Sequence, residues 1–294
     1  MIFSWVRDHA AEFKVKRMCQ LLKVSRSGYY DWRDRAPGSR QLRHQRLAEQ
    51  VRSVHAKSRR TYGSPRIAVE LRDQAVKVCR NTVATLMREE GIKARKKRRF
   101  LPKTTDSTHT HPIAPNLLGR RFDAGTSDQA LARTPNQVWV CDLTYVPTRQ
   151  GWLYLWAVLD LFSRKIVGWA ITDHLRAQGG VDALSMALRH RKPPRQLMHH
   201  SDRGSQYACG DYRDLLTAHG MTASMSRSGN CYDNAVMESF FSTIKTELAN
   251  QEDYATHPQA RSSLFEWIEV FYNRQRRHSS LNYLSPEAFE AQII

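Results

Sequence analysis

Three acidic residues stand where a carboxylate is costly. Asp142 lies in "NQVWVCDLTYVPT" (136–148), on the same side of a two-residue period as Val138, Val140, Thr144 and Val146. Trp139, Cys141, Leu143 and Tyr145 share the other side, so both faces of this strand are largely apolar and it belongs inside a covered sheet. Asp202 comes in "HHSDRGSQY" (199–207), after the short apolar stretch Gln196-Leu197-Met198 and before a Gly-Ser turn, at the end of a second apolar strand. Glu238 sits in "DNAVMESFFSTIKTEL" between Ala235, Val236 and Phe241, on a helix. A semi-buried ionised carboxylate is unfavourable unless it is paired or binds a metal. Oxygen donors from two strands and a helix can meet at one sheet edge, a donor set suited to a hard divalent cation such as Mg²⁺. Two such ions ~3.5–4 Å apart can hold both the attacking and the leaving oxygen of a phosphodiester displacement.

The elements that must position these acids form an α/β pattern. "GWLYLWAVLD" reads as a second strand, a turn at "LFSRK" leads to a third, "IVGWAIT", and Ala177–Arg189 reads as a helix with Val181, Leu184 and Leu188 inward. A fourth strand precedes Asp202, Tyr212–His219 is a helix, "MTASMS" a short strand, and Asp233 to about Leu248 one long helix. Three strands followed by alternating helix and strand predict a mixed sheet with helices on both faces.

The first part of the chain is different. The 294 residues hold 46 Lys and Arg against 28 Asp and Glu, a net charge of +18. Residues 1–133 carry 30 of the basic and 12 of the acidic groups, and residues 134–294 carry 16 of each, so the whole excess lies N-terminal. Segregation of this kind points to a polyanion, most simply nucleic acid; solubility alone would not require it. Residues 13–33 outline two short helices around a tight turn, with Val15, Met18, Cys19 and Leu22 at helical spacing and Ser25 as N-cap of the second. Residues 61–92 repeat the theme: Pro65 opens a helix carrying Ile67, Ala68, Val69 and Leu71, and "CRNTVATLMREEG" a second with Val83, Leu86 and Met87, stopped by Gly91. Arg80, Asn81 and Thr82 start that second helix, the end that enters a major groove in a helix-turn-helix. Arg95, Lys96, Lys97, Arg98 and Arg99 form a basic run that is either solvated or tracks a phosphate backbone. The boundaries expected are a helical, helix-turn-helix DNA-binding region over 1–100, a linker over 101–133, the α/β core over 134–250 and a C-terminal basic helical segment over 251–294. Five scattered cysteines without a CxxC pair read as reduced thiols in a cytosol. No apolar run reaches ~18 residues, so no membrane span is expected.

Thirty-five residues separate Asp202 from Glu238. That interval, with the strand-borne first acid, resembles the DDE motif of retroviral-integrase-like transposases. The phrases "YGSPRI", "PNQVWVCDLTYV", "GWLYLWAVLDLFSRKIVGW", "HSDRGSQY", "SMSRSGNCYDNAVMESFFSTIKTE" and "FYNRQRRHSSLNYLSPEAFE" resemble in particular the OrfB transposases of the bacterial insertion-sequence-three family, over roughly residues 13–290. The resemblance implies an RNase H-like catalytic core with Asp142, Asp202 and Glu238 as both catalytic triad and metal ligands. It implies two ions, Mg²⁺ or Mn²⁺, and metal-dependent cleavage of DNA at insertion-sequence ends with transfer of the 3′-OH to another phosphodiester. It further implies double-stranded DNA as partner, both element ends and target, a homo-oligomer on paired ends, and a bacterial cytoplasmic, nucleoid-associated setting. An upstream OrfA-type protein is implied as partner or frameshift fusion, with this chain, which begins at its own Met1, as the second half. Two features depart from the family pattern: the segment "DAGTSDQALART" is long and acid-containing, and Asn282 in "LNYLSP" stands where glycine is common. The His-His-Cys-Cys zinc spacing of retroviral integrases does not occur, and the N-terminal module is expected to be metal-free.

Other residues carry two readings each. Lys245, seven residues after Glu238, either grips a phosphate beside the acids or is a solvated helix lysine; Arg203 does the same or makes a salt bridge. Asp160 ends a strand and is expected to shape the turn, the other reading being a metal role; Asp233 is expected to cap a helix. His199 and His200 either support the site or pack and hydrogen-bond to backbone. "FYNRQRRHSSLNY" places Arg274, Arg276 and Arg277 among aromatics, a pattern suited to phosphate contact and stacking, or to an amphipathic helix docked through Phe271 and Tyr272. Rival functions are a catalytically silent DNA-binding regulatory subunit and a plain RNase H-like nuclease. A phosphotyrosine recombinase would need an Arg-rich catalytic set that nothing here resembles.

Overall fold

The computed structural model describes residues 2–36, 38–95, 111–123, 130–228 and 230–293. The N-terminal helices α1 (Ile2–Asp8), α2 (Val15–Leu21) and α3 (Arg26–Asp34) close around Val6, Met18, Cys19 and Tyr29. Ser25 caps α3 as its position suggests, its hydroxyl accepting from Gly28 N–H at 3.2 Å. Leu22 instead lies at the C-cap of α2, 37% exposed, because that helix ends one residue before it. A 19-residue helix follows, α4 (Ser39–Lys57), in a stretch with no expected element. It buries Leu47, Val51 and Val54 on one stripe against α5 (Ser64–Asp73) and α6 (Arg80–Glu89). In α5 and α6 the buried residues are Ile67, Ala68, Leu71, Val83, Leu86 and Met87, as anticipated except that Val69, off that face, is only half-buried, and Gly91 ends α6 at φ +66°.

The sheet has five strands: β1 (Val138–Thr148), β2 (Gly151–Asp160), β3 (Ile166–Thr172), β4 (Met198–Ser201) and β5 (Thr222–Met225). Their order is β3-β2-β1-β4-β5. β1, β2 and β3 pair antiparallel, while β4 and β5 add parallel to β1. Parallel addition needs helical crossovers, here α7 (Gln178–Arg191) and the pair α8 (Ser205–Ala208) and α9 (Gly210–Ala218). They cover one face, where Trp139 and Cys141 of β1 meet Ala183, Leu184, Ala187, Tyr212 and Leu216. The fit is close enough that a Cβ on Gly168 of β3 would come 2.2 Å from the Ala183 carbonyl oxygen of α7, so only glycine serves there. On the other face Val138, Val140 and Val146 meet Met237, Phe240, Trp267 and Phe271. This is the RNase H-like mixed sheet flanked by helices, preceded by an all-α region.

Beyond β5 the chain is less regular than one long helix over 233–248. A 3₁₀ turn (Cys231–Asn234) precedes α10 (Ala235–Ile244), and a π-helical turn (Lys245–Ala249) follows, closed by Asn250 N–H donating to the Lys245 carbonyl at 3.0 Å. Then come α11 (His257–Phe265), a π-helical stretch (Glu266–Tyr272) and α12 (Pro286–Glu290). Phe271 and Tyr272 are buried, docking this segment on the core. Asn282 has φ +51°, ψ +34°, the left-handed region that glycine occupies freely and asparagine tolerates, which accounts for the departure noted there. The described part of 101–133 is no free tether: Leu118 is buried and the N–H groups of Leu117 and Leu118 donate to Ser224 Oγ of β5. Among the described residues no helix is long and apolar enough to cross a membrane.

Candidate active site

The sheet sets the strand that leads into Asp202 beside the strand that holds Asp142. β1 and β4 run parallel with Val138 opposite Met198, Trp139 opposite His199 and Val140 opposite His200, an offset of sixty residues. Asp202 follows directly after the last residue of β4, and the same offset continued past the strand end would bring it level with Asp142. Asp142 is central in β1, opposite Ala157 of β2, and its Oδ1 accepts from Leu143 N–H at 2.8 Å. Asp202 begins the loop into α8, and its Oδ1 accepts from Gly204 N–H at 2.9 Å. A Cβ at position 204 would lie 3.0 Å from that same oxygen and 2.8 Å from Gln206 Oε1, so the glycine after "SDR" leaves the carboxylate its place. The third acid comes from the helix on the valine face. Asn234 Nδ2 donates to the Cys141 carbonyl at 3.1 Å, fastening the start of α10 to β1 one residue from Asp142. Glu238 follows in the first turn of α10 and is exposed, not semi-buried as expected, because Met237, Phe240 and Phe241 take the inward face of the helix.

The charges act on one another. The Asp142 carboxyl is held well above the ordinary carboxylate range, first by burial, then by the negative charge of Asp202 and further by that of Glu238; the Leu143 N–H and Lys245 act the other way. The three acids therefore share one electrostatic neighbourhood. Lys245, two turns along from Glu238, is partly buried; burial lowers its pKa and Asp142 opposes the shift. Tyr207 sits beneath, its phenol held well above its usual range by burial and then by Asp142. Oxygen donors that repel one another in a half-buried cleft have the chemistry of a hard divalent-cation site, since a bound cation relieves that repulsion. Their spacing is not drawn in to ligation: among the described residues no group of three or more His, Cys, Asp or Glu is gathered closely enough to hold a metal ion.

Neighbouring residues take definite places. His199 Nε2 and the Tyr212 hydroxyl are 2.9 Å apart, and His200 lies between the hydroxyls of Ser224 and Ser226, at 2.8 and 3.2 Å. Burial first pushes the two imidazoles down to about 3 and about 4, so both are neutral and structural, packed in the core as expected, with side-chain hydroxyls as partners and a backbone hydrogen bond to Asp233 for His200. Asp160 makes the turn it was expected to make, Oδ1 accepting from Phe162 and Ser163 N–H at 3.0 and 3.2 Å. Arg203 Nε donates to the Ser226 carbonyl at 2.6 Å, steadying the loop after β4 against the end of β5. Asp233 is no helix cap. Its buried carboxylate accepts from the side chains of Arg227, Arg120 and Asn116, and the Arg227 hydrogen bonds hold it well below the carboxylate range. It ties 111–123 to the core beside α10.

Of the residues expected at DNA, Arg80, Asn81 and Thr82 form the exposed first turn of α6. Arg95 donates to the Glu247 carbonyl, and Lys96, Lys97, Arg98 and Arg99 lie outside the described residues. Arg274 is exposed, 3.6 Å from Glu287. Arg276 needs correction: its guanidinium is buried and bonds both oxygens of Glu247, at 2.8 and 2.7 Å, leaving no edge to present to a groove. Arg277 is likewise committed, to Glu70 and Asp73 of α5, at 2.6 Å each. These two arginines join the C-terminal segment to the core and to the helical region. The fastening role of Asn234 and the spacing role of Gly204 were passed over; both stand within four residues of an acid, the one signal available for them.

Residues 132–231 and 219–286 each match a family described as "Integrase core domain", and residues 42–100 match one described as "HTH-like domain". The chain is 46% identical over 272 residues to the insertion element IS600 uncharacterized 31 kDa protein of Shigella sonnei, covering 92% of this chain and 97% of that protein. It is 41% identical over 292 residues to the transposase InsF for insertion sequence IS3A of Escherichia coli (strain K12), covering 99% and 98%. The HTLV-2 integrase catalytic core domain in complex with magnesium (trimeric form) superposes at a TM-score of 0.42 and 14% identity, over 53% of this chain and 97% of that one. With more than two-fifths of its residues shared along almost the entire length of such relatives, the chain belongs to the IS3-family OrfB-type transposases with an integrase core domain.

Proposed function

We propose that this transposase cuts DNA at the ends of its insertion sequence and transfers the freed 3′-OH to another phosphodiester through Asp142, Asp202 and Glu238. The observation that supports the assignment is the effect of the Asp202 and Glu238 charges on the Asp142 carboxyl, in a fold where β4, which leads into Asp202, runs parallel beside β1. These three carboxylates would hold the divalent ions, Mg²⁺ or Mn²⁺. Bound there, such ions supply Lewis acidity to the attacking and leaving oxygens. The chain's own groups do the rest. Leu143 N–H and Gly204 N–H orient one oxygen each of Asp142 and Asp202, Asn234 keeps α10 on β1, and Lys245 offers a cation beside Asp142 for a substrate phosphate. The exposed start of α6, with Arg80, Asn81 and Thr82, and the +18 N-terminal half supply the face for element-end and target DNA. The working unit is an oligomer on paired ends, with an OrfA-type protein as partner or fusion.

Incubation of the purified protein with Mg²⁺, a labelled element-end duplex and a target plasmid tests this. Labelled end joined to plasmid is the expected product. Free nicks without joining indicate a plain nuclease, and bound but uncut DNA a regulatory subunit; either result overturns the assignment.

A further inference from the structure

A cavity of about 310 Å³ opens on the flank of α10, the helix that carries Glu238. It reaches the lower end of the ~300–1,000 Å³ range of small-ligand sites. Three parts of the chain build it: Arg66 of α5, Arg164 of the β2–β3 turn, and His278 with Ser280 of the C-terminal segment, while Ala235, Val236 and Ser239 of α10 form the wall nearest Glu238. Arg66 Nε and Arg164 Nη1 are buried without a hydrogen-bond partner among the described residues. Arg164 spends Nη2 on the Phe122 carbonyl at 2.7 Å, and Arg66 lies over the Tyr62 ring, 5.5 Å from its centroid. Burial lowers the pKa of both groups, yet a guanidinium keeps its proton at any ordinary pH, so two poorly solvated cations face one space. Glu247 favours the charge on Arg66, and Asp160 and Asp123 that on Arg164, but burial outweighs them and none of these acids hydrogen-bonds either orphaned nitrogen. Glu247 is taken by Arg276, and Asp160 serves the strand turn and Trp139. His278 is held neutral by burial and by the arginines around it. Buried donors of this kind call for an anion with several acceptor oxygens.

We propose that this cavity is a phosphate pocket, and that it takes one backbone phosphate of the DNA engaged by the three acids. The proposal rests on the assignment of Asp142, Asp202 and Glu238 as the reaction centre, because α10 carries Glu238 and the pocket wall on adjoining faces. Arg66 and Arg164 are the ligands; Arg276, neutralised by Glu247, is wall. The pocket positions the strand, and it also links DNA engagement to the docking of the helical region and the C-terminal segment, which each supply a part of it.

The test uses full-length protein carrying Arg66→Gln with Arg164→Gln, and separately Ser280→Glu, which puts a negative charge at the exposed rim without touching the interior. Fluorescence anisotropy gives affinity for an element-end duplex as a function of salt. Each neutralised phosphate contributes about 0.9 to the slope of log K against log salt. Both variants are expected to lose about one unit of slope and to bind several-fold more weakly at 0.1 M salt. Mn²⁺ uptake should remain as in wild type, which separates this pocket from the triad: failure of the triad assignment appears in metal uptake and leaves the slope alone. Wild-type slope and affinity in Ser280→Glu overturn the proposal, even should the double variant fail to fold. A thermal shift with inorganic phosphate that disappears in Arg66→Gln, alongside an unchanged DNA slope, also overturns it, since the pocket would then serve free phosphate.

Discussion

Asp202→Asn should lower cleavage and joining by a factor on the order of 10³ or more, the scale expected when a member of a cooperating catalytic set is removed. The substitution keeps the shape of the loop: an amide oxygen can still accept from Gly204 N–H, and the site retains its volume. What goes is a negative charge that acts directly on the Asp142 carboxyl. DNA affinity should change by less than about twofold. The net +18 lies in residues 1–133, and removing a carboxylate near a bound phosphate gives no reason for weaker binding. Gel-shift and strand-joining assays on the same preparation separate the two effects. Joining at near wild-type rate would contradict the role given to Asp202, and lost DNA binding would show that the substitution acts through the fold.

The largest loss of stability is expected from Glu247→Gln. Arg276 is 5% exposed and Glu247 7% exposed, and each guanidinium edge meets a carboxylate oxygen. Burial opposes the charge on Arg276, and Glu247 more than offsets it. Removing one partner strands the other in a poorly solvated place, which costs about 3–5 kcal/mol. The position is sensitive twice over, since Glu247 sits in the π-helical turn after α10 and its backbone carbonyl also accepts from Arg95. Replacing both partners by apolar residues, Glu247→Leu with Arg276→Met, should recover much of the loss, because no buried charge is left alone. Urea denaturation of the three proteins decides it. Equal midpoints for wild type and Glu247→Gln would show that solvent reaches the pair.

What could be read from the sequence divides by range. The acids stand out because each contradicts its sequence surroundings: Asp142 interrupts a valine face, Asp202 ends an apolar strand before a turn, and Glu238 lies among apolar helix residues, although the fold leaves Glu238 exposed. The covered sheet was legible from the same period. What escaped depended on partners far along the chain. Arg276 and Arg277 look like phosphate ligands until Glu247, Glu70 and Asp73 are brought to them, and the latter two come from about two hundred residues away. Asp233 has the sequence position of a cap, yet Arg120, over a hundred residues earlier, claims it in folding. α4 was missed although Leu47, Val51 and Val54 have helical spacing, because the polar residues between them drown a narrow stripe. The break of the helix after Ile244 into a π turn has no propensity signature; it accompanies the inward placement of Glu247.

The central claim is that Asp142, Asp202 and Glu238 together hold divalent ions at a DNA phosphate. Calorimetric titration of Mn²⁺ into the protein bound to an element-end duplex, with wild type beside Asp142→Asn, tests it most directly. Saturable uptake by wild type is expected, weakened at least about tenfold in the variant, since losing a ligand should cost no less than losing an outer-shell partner. Equal uptake by both proteins, or none by wild type on its DNA, would contradict it.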